Sequence, residues 1–106
     1  MRLLLDESVP RRLRNALPAH TVKTAVEMGW GGIKNGALLT LAALEFDAFI
    51  TVDKNLPYQQ NVAALPITVV LLNARSNELQ VLLPLVPRLE GALATLQPRT
   101  LVQIGA

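Results

Sequence analysis

The chain has 106 residues, 51% of them hydrophobic and 17% charged, with a formal net charge of +2 and no cysteine. That composition excludes a disordered chain, which needs low hydrophobicity and high net charge, and it fits one domain with a single core spanning 1–106. The missing thiols exclude disulfides and thiolate chemistry and agree with a reducing cytoplasm.

In chain order, Arg2–Leu5 is predicted to be a short buried strand, followed at once by two acids, Asp6 and Glu7. Pro10 suits the first turn of a helix. Val9, Leu13, Ala16 and Leu17 then fall on one helical face, with Arg11, Arg12 and Arg14 off it, and Pro18 ends the element. A second strand is expected over 21–25, and Gly29, Gly31 and Gly32 around Trp30 make a loop. Asn35 is placed as the N-cap of the next helix. Residues 37–46 are apolar nearly all round, which predicts burial on more than one side.

Residues 48–52 form a third strand, with Asp53 behind it, and Pro57 and Tyr58 open a turn or short helix. The run 67–72, ITVVLL, has the continuous β-branched character of a strand covered on both faces. From Ser76 or Asn77 a helical pattern runs through Leu96 and must kink or split at Pro84 and Pro87. A last strand is expected at 100–104. The stretch 79–96 carries two prolines, an arginine and a glutamate, so no membrane span is expected. The low charge predicts an apolar patch covered by a partner or by self-association, and a homodimer is expected.

Strands alternating with helices predict a parallel α/β sheet with helices on both faces. The usual order of a small doubly wound sheet, 2-1-3-4-5, sets the first and third strands side by side and the ligand crevice at their carboxyl ends. Asp6 and Asp53 then face each other there. Two such anions repel unless a cation or proton lies between them, and Mg²⁺, which takes one or two carboxylates and keeps several waters, suits the pair. Against this stands the ordinary liking of Asp for turns.

Several other residues have two readings. Glu7 either binds metal through water or favours a helix N-terminus. Glu27 is a further acid at the crevice or an exposed glutamate. Thr51 lies two residues before Asp53, on the same face of a strand, and either orients the carboxylate or packs. Lys54 either meets phosphate or is solvated. The arginines of the first helix either contact phosphate or an acidic partner, or are solvated. His20 receives no role.

The stretches LLLDESVPRRL, GWGGIKNGALLTLAALEFDAFITVDKN and ITVVLLNA resemble the PIN-like toxin family related to VapC ribonucleases. The resemblance covers nearly the whole chain in order, and its specificity comes from the series of short motifs. It implies a PIN-like three-layer α/β/α fold with a mostly parallel, roughly five-stranded sheet. It also implies a Mg²⁺- or Mn²⁺-dependent endoribonuclease acting as the toxin of a toxin–antitoxin system, with a cognate antitoxin protein as partner and RNA as substrate. Carried over by position, Asp6 and Asp53 match the metal-binding acids, Glu7 the adjacent acid and Thr51 the motif threonine. Ser8 and Lys54 join Arg11, Arg12 and Arg14 as candidate RNA contacts. Asn35 stands where the family often has an acid, Ser8 where Asn is common, and Leu56 where an aromatic is common. The loss of one carboxylate weakens metal affinity and removes a possible base. Two other classes fit parts of the pattern: a phospho-acceptor receiver domain with Asp53 as acceptor, and a non-catalytic PIN-like binding module.

Overall fold

Strand-length apolar runs at 2–5, 48–51 and 68–73 can be dry on both faces only if helices cover both sides of one sheet. The computed structural model, described over residues 1–105, has this architecture. Five strands, β1 (Arg2–Leu5), β2 (Thr21–Thr24), β3 (Ala48–Thr51), β4 (Thr68–Asn73) and β5 (Leu101–Gly105), form one sheet in the order β2-β1-β3-β4-β5. Every pairing is parallel, so the expected antiparallel allowance of a "mostly parallel" sheet is not needed. Leu3, Leu4 and Leu5 pair with Ala48, Phe49 and Ile50, which fixes β1 beside β3.

The period-2 alternation of a strand sorts the core into two halves. Leu3, Leu5, Ala48, Ile50, Val70 and Leu72 pack on one face with Leu13, Leu17, Leu82, Leu89 and Leu93. Leu4, Phe49 and Val69 pack on the other with Leu38, Leu39, Ala42 and Leu56. The helices are α1 (Asn35–Ala42), α2 (Leu56–Gln59), α3 (Leu79–Leu82) and α4 (Val86–Ala94). Among the described residues, none is long and apolar enough to cross a membrane.

Two local expectations change. The first helix is six residues of 3₁₀ turn, Arg11–Ala16, with Pro10 in the capping position rather than inside the first turn. Pro10 and Pro18 leave too little chain for a longer helix, and 3₁₀ geometry is common in such short pieces. Leu13 and Leu17 are nevertheless fully buried, as their spacing requires. The helix expected through 46 stops at Ala42, and its apolar surface is buried on one side only: Leu38, Leu39 and Ala42 are inside, while Leu44 is 80% exposed. Phe46 returns to the core as part of the turn into β3 and packs T-shaped against the Trp30 ring, centroids 6.2 Å apart, which anchors the glycine loop. The expected split of the last helical stretch is present: a 3₁₀ turn, Leu83–Leu85, separates α3 from α4, where Pro84 and Pro87 remove amide donors.

Of the exposed large apolar side chains, Tyr58 lies in α2 and Val62 and Leu83 in separate 3₁₀ turns, while Met1, Val26 and Leu44 lie outside the helices and strands.

Candidate functional site

Parallel strands point their carboxyl ends to one edge, and there the loops after β1, β3 and β4 meet the start of α1. They enclose an open cleft of about 900 Å³. Asp6, Glu7 and Ser8 enter it from β1; Val52, Asp53 and Lys54 from β3; Arg75, Ser76 and Asn77 from β4; and Lys34, Asn35 and Gly36 from α1. β5 contributes no lining residue.

One hydroxyl links the Asp6 carboxylate to the main chain of Asp53. Thr51, fully buried at the end of β3, donates from Oγ1 to Asp6 Oδ2 at 2.8 Å, and the same oxygen accepts the Asp53 main-chain N–H at 3.0 Å. Ser8 Oγ donates to the same Asp6 oxygen at 2.8 Å. The Asp6 main-chain N–H donates to Ile50 O at 2.9 Å, extending the β1–β3 ladder by one residue and fixing the base of the side chain. Asp53 accepts the Asn55 main-chain N–H on Oδ1 at 2.9 Å and the Asn35 amide on Oδ2 at 3.4 Å, a long and weak bond. Ser8 is therefore an orienting group for Asp6. Its carbonyl accepts from Asn77 Nδ2 at 3.0 Å, which ties the β1 and β4 loops together across the cleft wall.

Asn35 is the first residue of α1 rather than its cap. Lys34 holds the capping position and makes no side-chain cap, which leaves the Asn35 amide available to Asp53. Glu7 spends one oxygen on the glycine loop, accepting the Gly32 N–H on Oε1 at 2.6 Å, at a backbone φ of +79° that favours glycine.

Glu27 does not line the cleft. It closes a capping box with Thr24: Glu27 Oε1 accepts the Thr24 N–H at 2.9 Å, and Thr24 Oγ1 accepts the Glu27 N–H at 3.1 Å. Arg14 reaches the same carboxylate at 2.9 Å and also donates to Val22 O, so it serves this turn. The Thr24 amide, and next the Arg14 guanidinium, hold the Glu27 carboxyl below its ordinary value. Its charge-dependent stabilisation is thus fully present above the unfolded-chain value of 4.5 and disappears as pH falls through the lowered folded value. Thermal melts should show Glu27→Gln less stable than wild type at neutral pH, with the gap closing in acid. A pH-independent gap would assign the effect to lost packing.

Arg11 and Arg12 are exposed and do not line the cleft. Its cations are Lys34, Lys54 and Arg75, two of which sequence reasoning missed. No motif marks Lys34 or Arg75, because loop positions acquire a shared wall only once the strand order is known. The Glu27 role was legible, since T-x-x-E is the capping-box pattern.

Tested against family models, curated proteins and solved structures, the chain matches none.

Among the described residues, no three acids or histidines group closely enough to hold a metal ion. Asp6 and Asp53, which meet through Thr51, would be the carboxylate donors to any ion held here, with the Asn35 amide on Asp53. Mg²⁺ accepts one or two carboxylates, retains its waters and takes substrate phosphate oxygens, so this set fits a water-rich, substrate-assisted ion and not an all-protein cage.

Proposed function

We propose that this chain is a PIN-like, metal-dependent endoribonuclease, the toxin partner of a small protein antitoxin. The observation that carries the reading is the joining of Asp6 to Asp53 through Thr51 in a cleft that also presents three cations. A cleft that only turned the chain would not need a buried threonine orienting an acid from a neighbouring strand. Asp6 and Asp53 would hold Mg²⁺ or Mn²⁺. When bound, such an ion lowers the pKa of a water and neutralises charge developing on a phosphodiester.

The chain's own groups then divide the work. Ser8 and Thr51 keep one Asp6 oxygen hydrogen-bonded and the carboxylate in one orientation. Asn55 and Asn35 do the same for Asp53. Glu7 holds the glycine loop at the cleft edge. Lys34, Lys54 and Arg75 take the RNA backbone, the role expected of the first-helix arginines. Arg75→Ala should weaken RNA binding and reduce the slope of log K against log salt by about one. An unchanged slope would remove Arg75 from the interface.

The test is direct. Purified protein cuts single-stranded RNA with Mg²⁺ or Mn²⁺, and chelation stops it. If calorimetry shows no saturable Mn²⁺ uptake and no cutting is seen, the nuclease reading fails.

The amide of Asn35 on Asp53 favours a second reading, a catalytically weakened member that only binds its partner. Asn35→Asp separates the two. In a working metal site it tightens Mn²⁺ binding, because a third anion is added; in a pure binding module it changes nothing measurable. The receiver reading has less support, since β5 brings no group to the cleft to meet a phosphoryl oxygen. Size-exclusion chromatography with light scattering tests the proposed homodimer. Co-purification with the product of the adjoining open reading frame tests the antitoxin.

A further inference from the structure

α2 is a ridge between two depressions. Gln59 lines the cleft, while Pro57 and Tyr58 line a smaller depression of about 280 Å³ beside Leu71 and Asn73 of β4 and Gln103 of β5. Lys54 lines both. Tyr58 is 88% exposed, and it is the only tyrosine of the chain. Nothing in the core requires it: α2 is anchored by Leu56, which is fully buried. Asn55 and Gln103, both exposed amides, stand around the same depression.

We propose that Tyr58 is a stacking platform for one unpaired base of a single-stranded RNA, whose backbone passes over Lys54 into the cleft. This rests on the reading of the cleft as RNA-facing and names how that substrate is gripped outside it. An exposed aromatic beside a cation that borders a phosphate-handling cleft is the combination single-strand binders use: the π-face takes any base, and the cation tracks the backbone. Duplex RNA cannot offer the ring an unstacked base, so the subsite selects single strands. Exposed amides beside the ring can meet base edges without dictating sequence.

The experiment measures binding without cleavage. Fluorescence anisotropy with labelled short oligoadenylate is run in excess chelator, and repeated with an abasic strand of equal length. Tyr58→Ala should bind oligoadenylate about ten-fold more weakly than wild type, Tyr58→Phe should match wild type, and the abasic strand should not distinguish Tyr58→Ala from wild type. Because Tyr58 is exposed, the variants should melt as wild type does.

Equal oligoadenylate affinity in wild type and Tyr58→Ala overturns the proposal and leaves the ring to a protein contact. So does an equal loss in Tyr58→Phe, which would point to the hydroxyl. So does failure of the wild type to bind oligoadenylate. The nuclease reading is separated by its own assay. Stacking without metal-dependent cutting would retain the subsite and reject the nuclease, whereas cutting with no Tyr58 effect would reject the subsite alone.

Discussion

Asp53→Asn and Asp6→Asn should each slow RNA cutting by about 10³-fold while the protein keeps its fold. The asparagine variants are the informative ones, because they keep shape and hydrogen-bonding capacity and remove only the charge. At Asp53 the amide oxygen can still accept the Asn55 N–H, so the turn after β3 survives. At Asp6 it can still accept from Thr51 and Ser8. What disappears is half of the negative charge available to a divalent ion from a two-carboxylate donor set. Removing one preorganised electrostatic group from a reacting site costs about 10²–10³ in rate. With no third acid grouped beside the pair among the described residues, the loss should lie at the upper end. Gel-based cleavage rates with Mn²⁺, set beside thermal melts, check both halves of the statement. Two asparagine variants that both cut within a few-fold of wild type would remove the acids from the chemistry.

Alanine at the same positions confuses two effects, and the structure says how. Asp6 is buried, and it is the acceptor for two hydroxyls. Its truncation strands the fully buried Thr51 hydroxyl at a cost of about 1–3 kcal/mol. Asp53 is only half-buried, so its truncation costs less. Asp6→Ala should therefore melt earlier than Asp53→Ala although both lose activity, an ordering that a purely catalytic account does not give.

The central strands were legible because buried parallel strands leave a mark: short continuous apolar runs bounded by turn residues. ITVVLL and the leucines of 3–5 can hardly form anything else beside alternating helical stretches. The strand order followed from topology rather than from any residue, and with it came the meeting of Asp6 and Asp53 in one cleft. Helix extent was less legible. Leu41 and Leu44 read as core because they are leucines, yet α1 ends at Ala42 and leaves Leu44 outside. Hydrophobicity says what can be buried, and the number of available faces decides what is.

Within the site, residues attached to strand ends were readable. Lys34, Arg75 and Asn77 were not, because they reach the cleft through loop paths that carry no period. Asn77 illustrates the point: its amide meets Ser8 O, 69 positions away in the chain, and nothing local in the sequence announces that.

Thr51→Val should lower both stability and activity although it removes no charge. Valine matches threonine in shape and β propensity, so β3 and its pairing with β4 through Leu71 are undisturbed. The change removes one oxygen with two duties. Asp6 Oδ2 loses a donor, keeping only Ser8, and the Asp53 main-chain N–H loses its acceptor. Stability should fall by about 1–3 kcal/mol, the range for buried polar groups left unpaired. Activity should fall by about 10–100-fold, the usual loss when an outer-shell partner of a metal-binding carboxylate is removed. Thr51→Ser supplies the control, since it keeps the hydroxyl and gives up only a methyl, so it should recover most of the rate even where packing costs some stability. Paired denaturation curves and Mn²⁺ titrations read the two effects separately. A valine variant that loses stability but binds Mn²⁺ and cuts as wild type does would make Thr51 a structural residue alone. A serine variant as inactive as valine would mean that the methyl, through its packing beneath the cleft, sets the geometry.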